Sequence, residues 1–174
     1  PPVAPQAPRT SSDLLLLAPF AAHASKRWDV EDASKLASRW LACGGRVALM
    51  GHPNEFEAWP GPPVLLAQRE EEVHLWAEAA VAVVMDSANQ HLAALHGTPS
   101  VTLWMGTAPE AGFVPYHPGL TAHVRPGDLA CTPCSIYGTS TCSRGDFACR
   151  KLSAQDIADA IRRVARTDLD LSAL

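Results

Sequence analysis

The 174-residue sequence predicts one α/β domain, an open parallel sheet with helices on both faces. Two observations carry this. Short apolar runs alternate with helical patterns at βαβ spacing. The first run, Leu14 to Ala18, is apolar without a break, as in a strand buried on both faces. A chain of this size buries roughly 70% of its unfolded surface, enough for a core without metal or disulfide support.

In order, residues 1–12 read as a proline-rich linker, and Leu14 to Ala18 as the first strand. Asp29, with Asp32 three residues on, caps a helix whose stripe is Val30, Ala33, Leu36, Ala37, Trp40 and Leu41, and Gly44-Gly45 stops it. Arg46 to Met50 is a second strand, and 51–63 a loop rich in proline and glycine. Val64 to Leu66 forms a third strand. A helix over Glu70 to Ala80 follows, with Val73, Trp76, Ala77 and Ala80 as its apolar side. Ala82 to Met85, Val101 to Met105 and Thr121 to Val124 are further strands. A helix opens at Ser87 and runs to His96, before Gly97 and Pro99. Ser153 caps a last helix with Ile157, Ala160, Ile161 and Val164 inward.

The composition excludes several function classes. With 47% hydrophobic and 18% charged residues, the chain is neither disordered nor fibrous. A formal net charge of −4 gives no basic face, so no nucleic-acid partner is expected. No apolar run approaches the roughly 20 residues of a membrane helix, and no secretory leader pattern is present. The chain opens on Pro1-Pro2 and reads as a piece of something longer.

Ligands of open parallel sheets bind beyond the carboxyl ends of the strands. No G-x-G-x-x-G and no P-loop occurs. After strand one, however, comes a loop carrying Lys26-Arg27, with Lys26 suited to phosphate. The alternative for both is a solvated surface cation. After strand four comes Asp86-Ser87-Ala88-Asn89-Gln90-His91, where a helix aims its positive dipole end at the same crevice. Alone, His91 reads as a partly buried helix histidine; with Lys26, an anion site is the better reading. Glu55, beyond strand two, is placed to accept hydrogen bonds from ribose hydroxyls, against an exposed loop glutamate as the alternative.

Four segments are specific enough to carry a resemblance: Ala18-Pro19-Phe20-Ala21-Ala22-His23-Ala24-Ser25-Lys26, Met85-Asp86-Ser87-Ala88-Asn89-Gln90-His91-Leu92-Ala93, Gly97-Thr98-Pro99 and Cys131-Thr132-Pro133-Cys134. In order and spacing they resemble the carboxyl-terminal half of glycosyltransferase family 9, the ADP-heptose:lipopolysaccharide heptosyltransferases. The resemblance runs from about Leu14 to Val164, with Ala88 standing where the family usually has glycine. It implies a Rossmann-like domain, the second half of a GT-B enzyme. Residues 13–167 would form that donor-binding domain, with 168–174 as a tail.

The resemblance also implies site roles. Lys26 would neutralise the donor diphosphate and Asp86 would face the donor sugar, these two being the catalytic candidates. Glu55 would hold the ribose, and His23 would join the donor-binding set. Ser87, Ala88 and Asn89 would offer the helix N-terminus, with His91 beside the phosphates and Gln68-Arg69-Glu70 over the base. The implied function is inverting transfer of a heptose or related sugar from a nucleoside-diphosphate sugar, ADP-heptose first, to a lipopolysaccharide core or related envelope glycan. The lipid-linked acceptor and the base would belong to an amino-terminal domain, which makes this chain an incomplete enzyme. The implied location is the bacterial cytoplasm or the inner face of its membrane. The alternatives are a non-catalytic sugar-nucleotide module and a sugar-nucleotide epimerase of related fold. No catalytic cofactor is expected.

Cys131, Cys134, Cys142 and Cys149 lie in one irregular loop, 131–149, while Cys43 ends a helix. Three readings stand for the four: a structural zinc with no open coordination position, disulfides, or packed thiols. The absence of a leader favours reduced thiols or a metal.

Overall fold

The computed structural model describes residues 11–67, 72–115 and 120–174. Six strands, β1 (Leu14–Ala18), β2 (Arg46–Leu49), β3 (Leu65–Leu66), β4 (Val81–Met85), β5 (Ser100–Leu103) and β6 (Thr121–Val124), form one sheet in the order β3-β2-β1-β4-β5-β6. Every pairing is parallel. This is the Rossmann-like arrangement, with its topological switch point between β1 and β4.

The unbroken apolar character of β1 has a direct structural cause. Leu15 and Leu17 enter one core with Trp40, Val83, Ile157 and Ile161, while Leu14, Leu16 and Ala18 enter another with Leu75, Trp76, Val84 and Ala93. Helices α1 (Val30–Ala42) and α5 (Ala154–Val164) cover the first face, and α3 (Glu72–Glu78) and α4 (Ala88–His96) the second. A strand with a helix layer on each side has no polar face to spare.

The caps stand as the sequence placed them. Asp29 Oδ1 accepts the Glu31 N–H at 3.0 Å, and Ser153 Oγ accepts the Asp156 N–H at 3.2 Å. Gly97, at φ +63°, ends α4 in the left-handed conformation that favours glycine.

Three expectations need correction. The 51–63 segment is not all loop: Pro53–Phe56 is a short helix, α2, started by a proline at its first position. Helix α3 buries Leu75 and Trp76, with Ala79 and Ala80 just beyond it, while Val73 is 56% exposed and Ala77 is also exposed. The apolar stripe therefore lies about one residue round the helix from the one expected. Finally, residues 168–174 are no free tail. Leu174 is buried, its carbonyl accepts from Arg39 Nη1 at 2.9 Å, and Leu169 and Leu171 pack on the core. Most of the 1–12 linker, the Gln68-Arg69-Glu70 loop and the expected start of α3 lie outside the described residues.

Candidate functional site

The loop after β1 is drawn into a compact ring. The buried Trp28 donates its backbone N–H to the Pro19 carbonyl at 3.0 Å, which brings both ends of the loop together. Between them Ala24–Lys26 makes one turn of 3-10 helix. Arg27 leans back, its Nε donating to the Ala21 carbonyl at 2.6 Å, and is exposed. Lys26 goes the other way, across the switch point to the end of β4.

There Lys26 Nζ meets Asp86 Oδ2 at 2.9 Å, with side-chain exposures of 15% and 4%. Thr107, beyond β5, donates to the same oxygen at 2.8 Å, and Gln90 Nε2, on α4, donates to Oδ1 at 3.0 Å. Elements after β1, β4 and β5 thus converge on one buried carboxylate. Its desolvation is offset by one cation and two neutral donors. An ammonium has three protons, and one direct contact to Asp86 leaves the others for a ligand. Lys26 is thus a half-buried, ion-paired cation rather than a freely solvated surface one.

The remaining sequence candidates surround the same end of the sheet. Ser87 Oγ caps α4 by accepting the Asn89 N–H at 3.3 Å. Ala88 and His91 are exposed in the first turn, and Asn89 is half-buried. His23 is exposed beside the Lys26 turn. Glu55 Oε2 accepts the His52 backbone N–H at 2.8 Å, so this carboxylate also closes the start of α2. Asp86, expected to face a sugar, has both oxygens engaged by protein groups.

The sequence profile of glycosyltransferase family 9 (heptosyltransferase) matches residues 4–141. The chain belongs to glycosyltransferase family 9. Solved structures share the fold of this family 9 chain at low identity. A family 9 glycosyl transferase from Veillonella parvula is 16% identical, with a TM-score of 0.69 over 88% of this chain and 46% of that one. The E. coli heptosyltransferase WaaC with ADP-2-deoxy-2-fluoro heptose is 22% identical, with a TM-score of 0.55 over 68% of this chain and 38% of that one. The iron-containing dodecameric glycosyltransferase TibC from enterotoxigenic E. coli is 16% identical, with a TM-score of 0.62 over 92% and 46%. The chain thus spans less than half the length of each. No curated protein sequence matches it significantly. Among the described residues no helix is long and apolar enough to cross a membrane.

In this family 9 chain the four clustered cysteines line a single cavity of about 10 Å³, together with Ser25 and Thr139. That is room for one water-sized sphere. As placed, they are not drawn into a coordination shell: among the described residues no three His, Cys, Asp or Glu side chains form a metal centre. Their environments nonetheless differ. Backbone N–H groups, Phe147's foremost and then those of Arg144, Gly145 and Asp146, hold the Cys142 thiol below its usual range. Burial, then the neighbouring thiols of Cys134, Cys142 and Cys131, pushes the Cys149 thiol up.

Sequence reasoning missed Gln90, Thr107 and Ser25 as parts of the site. Gln90 carries a recoverable signal: it stands four residues after Asp86, the spacing at which side chains meet across one helical turn. Thr107 and Ser25 carry none, because their partners come from distant segments.

Proposed function

We propose that this chain is the donor-binding half of an inverting glycosyltransferase. It would move a heptose or related sugar from a nucleoside-diphosphate sugar, ADP-heptose first, to a lipopolysaccharide core or related envelope glycan. The observation that carries the reading is the Lys26 ammonium, held by Asp86 at the switch point, beside the N-terminus of α4.

In such a transfer the acceptor oxygen attacks the anomeric carbon, the bond to the diphosphate breaks, and its electron pair goes to the leaving phosphate oxygen. The acceptor proton goes to a base, which the proposal places in an amino-terminal domain. Negative charge grows on the diphosphate as the bond breaks. Lys26 and the α4 dipole answer it, and because both are already in place, little reorganisation is needed. Asp86 acts here through Lys26, fixing where the ammonium stands. Glu55 and His91 are the proposed ribose and phosphate partners, and Ser87, Ala88 and Asn89 present the helix end. The enzyme would work in the bacterial cytoplasm or at the inner face of the membrane.

Titration of the full-length protein with ADP, UDP, GDP and their heptose or hexose conjugates tests this. ADP-heptose is expected to bind tightest, and failure of every nucleoside diphosphate to bind overturns the proposal. The isolated chain is expected to bind donor without turnover; measurable sugar transfer by it would overturn the division of labour.

For the cysteine cluster we propose one structural unit with no catalytic part, in which Cys131, Cys134, Cys142 and Cys149 would close from their present positions onto a zinc. About one metal per chain is expected by elemental analysis covering zinc and iron. The metal should be lost on changing any of Cys131, Cys134, Cys142 or Cys149 to Ser and kept in Cys43→Ser. A metal-free protein with four titratable thiols in the cluster would leave packed cysteines as the answer.

A further inference from the structure

The cysteine loop is laced to the site through its 134–139 arm. The backbone N–H groups of Cys134 and Ser135 both donate to the Gly106 carbonyl, at 3.0 and 3.2 Å. The Gly106 N–H donates in turn to the Ser25 carbonyl at 3.0 Å. Ser25, 1% exposed, gives its N–H to the Thr139 carbonyl at 3.0 Å and accepts the Thr139 N–H on Oγ at 2.8 Å. These bonds tie three segments, after β1, after β5 and in the cysteine loop, around the residue next to Lys26.

Gly138 sits where the arm meets the lysine. Its φ of +99° is the left-handed region that favours glycine, and Ser135 Oγ holds the turn by accepting the Gly138 N–H at 2.9 Å. A Cβ added there would stand 2.6 Å from Lys26 Cδ and 2.9 Å from His23 Cβ. The Gly138 backbone is therefore packed directly on the aliphatic stem of Lys26, whose far end is tied to Asp86. The lysine is held at two points along its length. Thr107 and Gln90 hold the counter-ion of the second.

We infer that Gly138 and Ser25 are positioning residues for Lys26, making the cysteine loop the wall that aims this ammonium at the donor diphosphate. The inference rests on the proposed role of Lys26. Side-chain freedom in a four-carbon stem is large, and a cation that must meet a developing charge loses effect when it wanders. A backbone wall without a side chain lets the stem lie close and leaves the ammonium extended.

The test is a double-mutant cycle on the full-length protein, with ADP and adenosine as the probes. Lys26→Ala should weaken ADP binding and leave adenosine binding unchanged. Gly138→Ala should weaken ADP binding about tenfold, adenosine again unchanged, and should add less than about twofold in the Lys26→Ala background. Ser25→Ala removes the Thr139 acceptor without adding bulk, and should act in the same pattern, more weakly, even if Gly138→Ala does not fold. If Lys26→Ala leaves ADP binding intact, the donor-site reading itself fails. If Lys26→Ala weakens ADP while the folded wall variants bind as wild type, the positioning inference alone is overturned. Equal losses in both backgrounds, or equal losses for adenosine and ADP, overturn it as well.

Discussion

The two ends of the sheet each carry an ionic cluster, and they are built in opposite ways. At the amino ends of β1 and β2, Arg46 bridges Asp13 and Glu78, with side-chain exposures of 55%, 40% and 45%. The open cavity beside them, about 600 Å³, is lined by these groups and by Ser11, Thr167 and Asp168. At the carboxyl ends, Lys26 and Asp86 are 15% and 4% exposed, and two buried neutral groups, Thr107 and Gln90, also donate to Asp86. The roomy concavity has ordinary surface charge, and the ion-paired lysine stands at the opposite end of the sheet. The proposed donor site is thus marked by burial and by the convergence of strand ends, rather than by cavity size.

The largest effect should come from breaking the buried pair. Asp86→Ala leaves an ammonium without its counter-ion in a site shielded from water, and should cost about 3–5 kcal/mol of stability. Adding Lys26→Met should restore much of that stability while leaving donor binding lost. Denaturant unfolding and ADP titration of the two variants separate the outcomes. A single variant as stable as wild type would mean that the pair is solvated and resembles the Arg46 cluster after all.

Next in size is Lys26→Ala in the full-length enzyme. On the proposed role it would remove a charge-assisted contact to the leaving group worth about 1.5–3 kcal/mol, or roughly ten- to 150-fold in turnover. Steady-state kinetics with an ADP-sugar donor measures this. Unchanged kinetics would return Lys26 to a structural role and weaken the contrast between the two ends.

How legible each region was follows from the range of its contacts. The strands and caps were readable because their causes are local: five apolar residues in a row for β1, a serine or aspartate two or three positions before the N–H it accepts for the caps. Asp86 was readable as the residue directly after β4, and Lys26 as a cation in the loop after β1. What was not readable depends on distance in sequence. The Thr107 hydroxyl reaches Asp86 across 21 residues, and the Thr139 N–H reaches Ser25 across 114. The α3 stripe was misplaced because two phases both include Trp76. Leu75, larger than Ala77, decides for the buried one, and only the packed face shows it. Glu55 shows a subtler failure: its neighbours announced a loop, while His52 in place of a serine or threonine hid the start of a short helix.

A third region, of intermediate burial, sharpens the comparison. On the edge strand β6, His123 Nδ1 accepts the Trp104 indole N–H at 3.0 Å. Burial, with Arg125 nearby, holds the His123 pKa below its ordinary value of 6.5, while Glu110 pulls slightly the other way. A lowered folded-state pKa means that the unfolded chain binds the proton first as pH falls. The stabilisation is therefore present above about 6.5 and is lost as pH falls through the folded-state value. The hydrogen bond is worth about 0.5–1.5 kcal/mol. Thermal unfolding should show wild type losing more stability between neutral and mildly acid pH than His123→Gln, which does not titrate. Parallel pH profiles would show that the pair contributes nothing pH-dependent.

The smallest effect is expected at the amino end, where Arg46→Ala removes both ion pairs at once. The Arg46 guanidinium lies beside Asp13 and Glu78, and Arg46 in turn holds the Asp13 carboxyl below its usual range. All three groups are more than a third exposed, so water already solvates the separated charges, and salt screens what attraction remains. Such pairs contribute roughly 0.2–1 kcal/mol at low salt, and two that share one guanidinium are not additive. Arg46→Ala should therefore lower stability by about 1 kcal/mol or less, and the loss should shrink further as salt is raised. ADP binding should be unchanged, because Arg46 begins β2, at the opposite end of the sheet from Lys26. Unfolding at two ionic strengths, with an ADP titration alongside, checks each part. A salt-independent loss of several kcal/mol would mean that this cluster is as effectively buried as Lys26 and Asp86. Weakened ADP binding would mean that the two ends of the sheet are coupled, and burial would no longer separate them.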